Sequence, residues 1–260
     1  MTTSQQPGSK APGRPLYLTD PARAVLDFGL LAASAPLLTA LPRGDGQPVL
    51  VLPGLLLGDG STRTLRAALR GLGYPTHGWD AGRNVGPTDR AVRGMRARLS
   101  QLADRYGRAV SLIGWSLGGI YARQLARHAP DTVRQVITLG SPIRLARHDQ
   151  TRANHLFHRY SHQHVEHWEL PLEHRAAPLP VPASSIYSPL DGIVAWRACL
   201  DEPSLTAENI AVLGSHFGLV HHPAVLWAVA DRLAQPAGQW QPFRPPPLFR
   251  AAYPQHGTTP

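Results

Sequence analysis

Apolar residues in this chain alternate between short unbroken runs and longer stretches where they return every third or fourth position. Pro48 to Leu52, Ala109 to Ile113, Val133 to Leu139, Ser184 to Tyr187 and Asn209 to Leu213 are runs of the first kind. They read as strands buried on both faces, with Tyr74 to Trp79 a weaker sixth. Between them lie helical patterns. Ser61 or Asp59 can cap a helix through Leu65, Ala68 and Leu69 to Gly71. Thr88 to Tyr106 carries Val92, Met95, Leu99 and Leu102 at helical spacing before Gly107. Leu117 to His128 and Pro223 to Leu233 follow. Strands alternating with helices predict an α/β fold: a doubly wound, mostly parallel sheet covered on both faces. No internal repeat is visible.

The alternation sets the expected organisation: an N-terminal extension (1–44), a core (45–235) and a Pro-rich tail (236–260). Met1 to Pro15 is polar and expected to be disordered. Ala22 to Leu41 is apolar but interrupted by Asp27, Gly29 and Pro36. A spanning helix needs about 20 apolar residues without a break. An amphipathic helix lying on the domain or on a membrane surface is therefore expected. Ile143 to Pro182 breaks the alternation and reads as an inserted lid, with Leu156, Phe157, Tyr160, Val165 and Trp168 able to fold over a site. It holds seven of the thirteen histidines: His148, His155, His158, His162, His164, His167 and His174. They lack cysteine partners and a His-Glu-x-x-His pattern, so neither a metal nor another cofactor is expected.

Charge changes this picture little. The net charge is +9, and Lys10 is the sole lysine among 26 basic residues. The arginines are scattered, often beside Asp or Glu, and no basic run alternates with aromatics. Nucleic acid is therefore not an expected partner, while weak attraction to an anionic membrane surface is. Cys199 is the single cysteine, so no intramolecular disulfide can form, which suits a cytoplasmic protein.

The chemistry gathers around Gly114-Trp115-Ser116-Leu117-Gly118-Gly119, which ends a strand and opens a helix. Glycines two residues either side of a serine permit a sharp turn that lifts its hydroxyl above the sheet. The helix start then turns partial positive charge toward it. A serine hydroxyl needs a histidine to take its proton, and the histidine needs an acid to hold its tautomer. Asp191, in Ser188-Pro189-Leu190-Asp191-Gly192, and His216, in Gly214-Ser215-His216-Phe217, follow strand ends in the order Ser, Asp, His. Asp201 and Glu202 lie farther from their strand, and His221 and His222 precede a helix start, so they are weaker candidates. Backbone N–H groups of Leu117 and Leu55 are the candidate oxyanion donors. Leu55, Leu56, Leu57, Trp115, Phe217 and Leu219 are candidates to line an apolar acyl pocket.

These landmarks resemble the α/β-hydrolase superfamily over Gln47 to Leu233, and within it bacterial lipases and esterases. One departure stands out: Leu52-Pro53-Gly54 occupies the oxyanion loop where many members have His-Gly. The resemblance implies a carboxylic ester hydrolase working through an acyl-enzyme on a small or lipid-like ester. Thioester hydrolysis or acyl transfer on the same three residues is the nearest alternative, and a membrane-associated binding protein on a degenerate scaffold a more distant one.

Overall fold

The computed structural model describes residues 10–144, 151–165, 178–202 and 204–254. Six strands form one sheet in the order β2-β1-β3-β4-β5-β6, every neighbouring pair parallel. They are β1 (Val49–Leu52), β2 (Thr76–Gly78), β3 (Val110–Trp115), β4 (Val133–Leu139), β5 (Ala183–Tyr187) and β6 (Ala207–Ala211). The helices are α1 (Arg14–Ala33), α2 (Ala35–Leu38), α3 (Arg63–Gly71), α4 (Asp89–Tyr106), α5 (Leu117–His128), α6 (Asn154–Arg159) and α7 (Pro223–Ala234).

Strand alternation divides the core. Val49 and Val51 pack with α3 and α7 on one face of the sheet. Leu50 and Leu52 pack with α4 and α5 on the other. Fully burying each such side chain is worth about 1.5–3 kcal/mol. The expected ends of α4 are realised by local chemistry: Thr88 Oγ1 accepts the Ala91 N–H at 3.2 Å, and Gly107 closes the helix at φ 58°.

Several boundaries move. β3 runs on to Trp115, directly against the serine, while β6 stops two residues before Leu213, which is exposed. The chain leaves the sheet there to deliver residues 214–217 to the strand ends. α1 starts at Arg14, inside the stretch expected to be disordered, because Pro15 fits the first turn of a helix, where no N–H partner is needed. It ends at Ala33, ahead of Pro36, rather than continuing to Leu41.

Much of the segment expected to be a lid (143–182), including His148, His167, Trp168 and His174, lies outside the described residues. Within 151–165, α6 is followed by a chain that docks on residues 85–88: His164 bridges Thr88, and the Val165 N–H donates to Pro87 O at 3.0 Å. No helix among the described residues is long and apolar enough to cross a membrane.

Candidate active site

β3 hands the chain to α5 through Ser116, whose backbone lies at φ 53°, ψ −120°. That is a costly conformation for a residue with a side chain. The turn is possible because its flanks carry none: a Cβ on Gly114 would lie 2.3 Å from Gly118 O, and one on Gly118 would lie 2.2 Å from Leu52 O. The Ser116 N–H is anchored on Leu139 O at 2.9 Å, which ties the turn to the end of β4.

Asp191 and His216 arrive from the ends of β5 and β6. Asp191 Oδ2 lies 2.6 Å from His216 Nδ1, both side chains being almost wholly buried. Its other oxygen accepts the N–H groups of Ile193 and Val194 at 2.8 and 2.7 Å. One carboxylate thus fixes its own turn and the imidazole together. With Nδ1 engaged, Nε2 is the ring nitrogen left for chemistry. Burial opposes protonation of His216, but the charge of Asp191, its hydrogen bond and the charge of Asp20 outweigh it and raise the pKa above 6.5. Trp115 Nε1 donates to His216 O at 3.2 Å, joining the residue before Ser116 to the histidine.

Ser116 and His216 open onto one cavity of about 310 Å³, lined also by Gly54, Leu55, Leu57, Trp115 and Phe217. Tyr17, Leu18 and Pro21 of α1 wall another side, and Arg152, Leu156 and Ile193 complete much of the rim. The volume suits a small organic ligand. The loop after β1 passes close to the serine: a Cβ on Gly54 would lie 3.3 Å from Ser116 Cβ. Among the described residues, the N–H groups of Leu55 and Leu117 have no protein acceptor.

Two of the six candidates for an acyl pocket are placed elsewhere. Leu56 does not line the cavity: its backbone sits at φ 62°, its N–H donates to Asn84 O at 2.6 Å, and its carbonyl accepts from Arg83. Its neighbours Leu55 and Leu57 do line the cavity. Leu219 belongs to the buried core under the sheet. The weaker candidates have other duties. Asp201 pairs with Arg123 in the interior, Glu202 with Arg144 nearer the surface, and His222 Nδ1 caps α7 by accepting the Ala224 N–H at 3.2 Å. Burial lowers the pKa of His221 and His222 despite the opposing charge of Asp27. Cys199 is fully buried, and burial pushes its thiol well above the ordinary range. Among the described residues, no group of three or more His, Cys, Asp and Glu is placed to hold a metal ion.

Two contributors escape sequence reasoning. Asn84 is buried and donates from Nδ2 to Pro53 O at 2.8 Å, while its Oδ1 accepts from Gly86 N–H and Tyr121 Oη–H at 3.2 and 3.1 Å. Its backbone pairs with Leu56 and Leu57. An amide thus orients the loop that lacks the His-Gly imidazole. The other is Asp20 of α1, fully buried, whose side chain accepts from the His216 N–H at 2.9 Å. Asn84 stands in a featureless loop and Asp20 in a helical stretch with no motif, so only the Gly-rich neighbourhood of Asn84 hinted at a turn.

A family model described as a PGAP1-like alpha/beta domain matches residues 92–178. Solved structures match over more of the chain. Aspergillus fumigatus lipase B is 14% identical, with TM-score 0.58, over 75% of this chain and 54% of that one. The monoacylglycerol lipase of Paleococcus ferrophilus is 14% identical, TM-score 0.51, over 75% of this chain and 96% of that one. A metagenome-derived lipolytic enzyme is 15% identical, TM-score 0.52, over 74% and 93%. The chain spans just over half the length of the first and nearly all of the others. A search of the curated proteins by sequence finds no match. The fold is that of the α/β-hydrolase superfamily. Within that fold, the chain resembles lipases and esterases.

Proposed function

We propose that the chain is a serine hydrolase that cleaves carboxylic esters through an acyl-enzyme. Ser116 Oγ attacks the ester carbonyl carbon while His216 Nε2 takes its proton, and the oxyanion that forms accepts from the Leu55 and Leu117 N–H groups. Collapse of that intermediate breaks the C–O bond, and the departing alkoxide takes the proton from His216. Water, deprotonated by the same imidazole, then adds to the acyl-enzyme, and Ser116 Oγ leaves as the alcohol. Asp191 holds the tautomer and stabilises the imidazolium in both steps.

The observation that carries this reading is the buried 2.6 Å contact between Asp191 and His216 beside a cavity that Ser116 also lines. The apolar walls supplied by Leu55, Leu57, Trp115 and Phe217 favour an apolar acyl group. Hydrolysis of p-nitrophenyl butyrate by the purified chain tests it. Ser116→Ala is expected to lower kcat by about 10⁴-fold or more with the fold retained. Full residual activity in that variant refutes the assignment. Preference for an acyl-CoA, or for an alcohol acceptor over water, would redirect the same residues to thioester hydrolysis or acyl transfer.

The outer face of α1 supports a second reading, in which the chain works on a lipid surface. Leu18, Val25 and Leu26 are 72%, 70% and 71% exposed, and Leu18 reaches the cavity rim. Apolar side chains on one helix face, on a chain of charge +9, suit an anionic bilayer. Co-sedimentation with phosphatidylcholine/phosphatidylglycerol vesicles, lost in the Val25→Ser/Leu26→Ser double variant, is the expected result. Equal sedimentation of both proteins, or of neither, contradicts it.

A further inference from the structure

α1 turns two carboxylates, as well as apolar side chains, toward the domain. Asp20 has no exposed surface. Its Oδ2 accepts the N–H groups of Gly192 and His216, both at 2.9 Å, and its Oδ1 accepts the Phe217 N–H at 3.1 Å. Arg23, on the next turn, places its guanidinium 3.3 Å from the same carboxylate. Asp27, two turns on from Asp20 on the same face, accepts from Ser215 through both the N–H (3.0 Å) and the hydroxyl (2.6 Å). The close approach needs a glycine beside Asp191: a Cβ on Gly192 would lie 2.3 Å from Leu16 O and 2.8 Å from Asp20 Oδ2.

We propose that Asp20 is a positioning residue for His216, holding the Asp191 turn and the His216 loop together from a helix remote in sequence. The proposal rests on the function argued above. Its physical basis is that Asp191 and His216 stand four and five residues beyond Tyr187 and Ala211, where β5 and β6 stop pairing, so strand pairing and the Ser188–Gly214 hydrogen bonds fix the roots of the two loops but not their tips. A buried carboxylate is strongly disfavoured unless donors surround it. Besides the Arg23 guanidinium, the donors are one N–H from the first loop and two from the second, so fully satisfying the charge requires both loops to be in place. A displacement of about 1 Å in such a contact is enough to cost about 10²-fold in rate.

The charge itself has a second effect, on the imidazole. The charged and titratable groups around His216 are Asp191 from the turn after β5, Asp20 from α1 with Arg23 beside it, and Arg152 across the cavity; Trp115 and Phe217 contribute uncharged rings. The two carboxylates favour the imidazolium that forms when Ser116 gives up its proton. Asp27 grips the same loop but makes no contact with His216, which makes it the natural control.

Asp20→Asn, Asp27→Asn and Arg23→Gln, made in the full chain, separate positioning from mere docking. With p-nitrophenyl butyrate, Asp20→Asn is expected to lower kcat about 10- to 100-fold. KM should stay within about twofold, because Asp20 does not line the cavity. The acid limb of its pH profile should move to lower pH, since a lost negative charge makes His216 easier to deprotonate. Asp27→Asn should leave that limb in place, and Arg23→Gln, which bares the Asp20 charge, should move it to higher pH.

Wild-type kcat and limb in Asp20→Asn overturn the proposal, as do equal kcat losses in both Asn variants with the limb unmoved. Should Asp20→Asn fail to fold, Arg23→Gln decides alone, and an unmoved limb there counts against the role. Titration of the His216 imidazole by NMR reads the same shifts without substrate. A wild type that turns over no ester therefore overturns the proposed function while this arm still tests Asp20.

Discussion

Ser116 holds a backbone conformation, φ 53° and ψ −120°, that costs about 1–3 kcal/mol and persists only because its surroundings impose it. The strain presents the hydroxyl at the edge of a cavity that His216 shares. His216 then sets the pH dependence. Its pKa is raised above 6.5, chiefly by the charge and hydrogen bond of Asp191 working against burial. A general base must be neutral, so kcat/KM is expected to climb through one deprotonation whose midpoint lies above 6.5, and to be low at pH 5.5. The same shift stabilises the fold, fully below pH 6.5, and that contribution fades as pH rises through the raised value. A pH–rate profile with its acid midpoint below 6.5 contradicts this account of His216.

At the scale of elements, the strand–turn–helix of β3, Ser116 and α5 was legible because each part is specified locally. An apolar run, two small flanking residues and a helical pattern sit side by side in the chain. The turns bearing Asp191 and His216 were legible for the same reason, each following a recognisable strand. Asn84 and Asp20 were not, since the partners that matter, Pro53 for the one and Gly192 and His216 for the other, lie 31 or more residues away and their neighbours give no periodic signal. Leu56 leaves the cavity to its neighbours Leu55 and Leu57, and the left-handed backbone that accompanies this carries no periodic signal. Asn84 provides the test at this scale. Asn84→Ala removes the side-chain donor to Pro53 O and one hydrogen-bond acceptor of the Tyr121 hydroxyl. It is expected to destabilise the chain by about 1–3 kcal/mol and to lower kcat more than it raises KM. Steady-state kinetics with a denaturation curve measure both, and unchanged kcat would mean that the amide does not orient the oxyanion loop.

Across the whole molecule, a parallel sheet gathers its loops at one end, where residues from four strand ends and one terminal helix meet around a single cavity. The frame that keeps them there includes a buried ion pair, Arg123 of α5 with Asp201 after β5, which joins the helix behind Ser116 to the chain between Asp191 and His216. Removing the carboxylate breaks a two-point buried contact, so Asp201→Ala is expected to cost about 2 kcal/mol or more, read as a lowered urea midpoint. A loss under about 1 kcal/mol would place that pair outside the frame. The central claim is that Ser116, activated by His216, forms a covalent acyl intermediate. Mass-spectrometric mapping of the adduct left by a fluorophosphonate tests it most directly. The account predicts one modified peptide, carrying the label on Ser116, and strongly reduced labelling in His216→Ala. An unlabelled protein, or a label on any other residue, would contradict it.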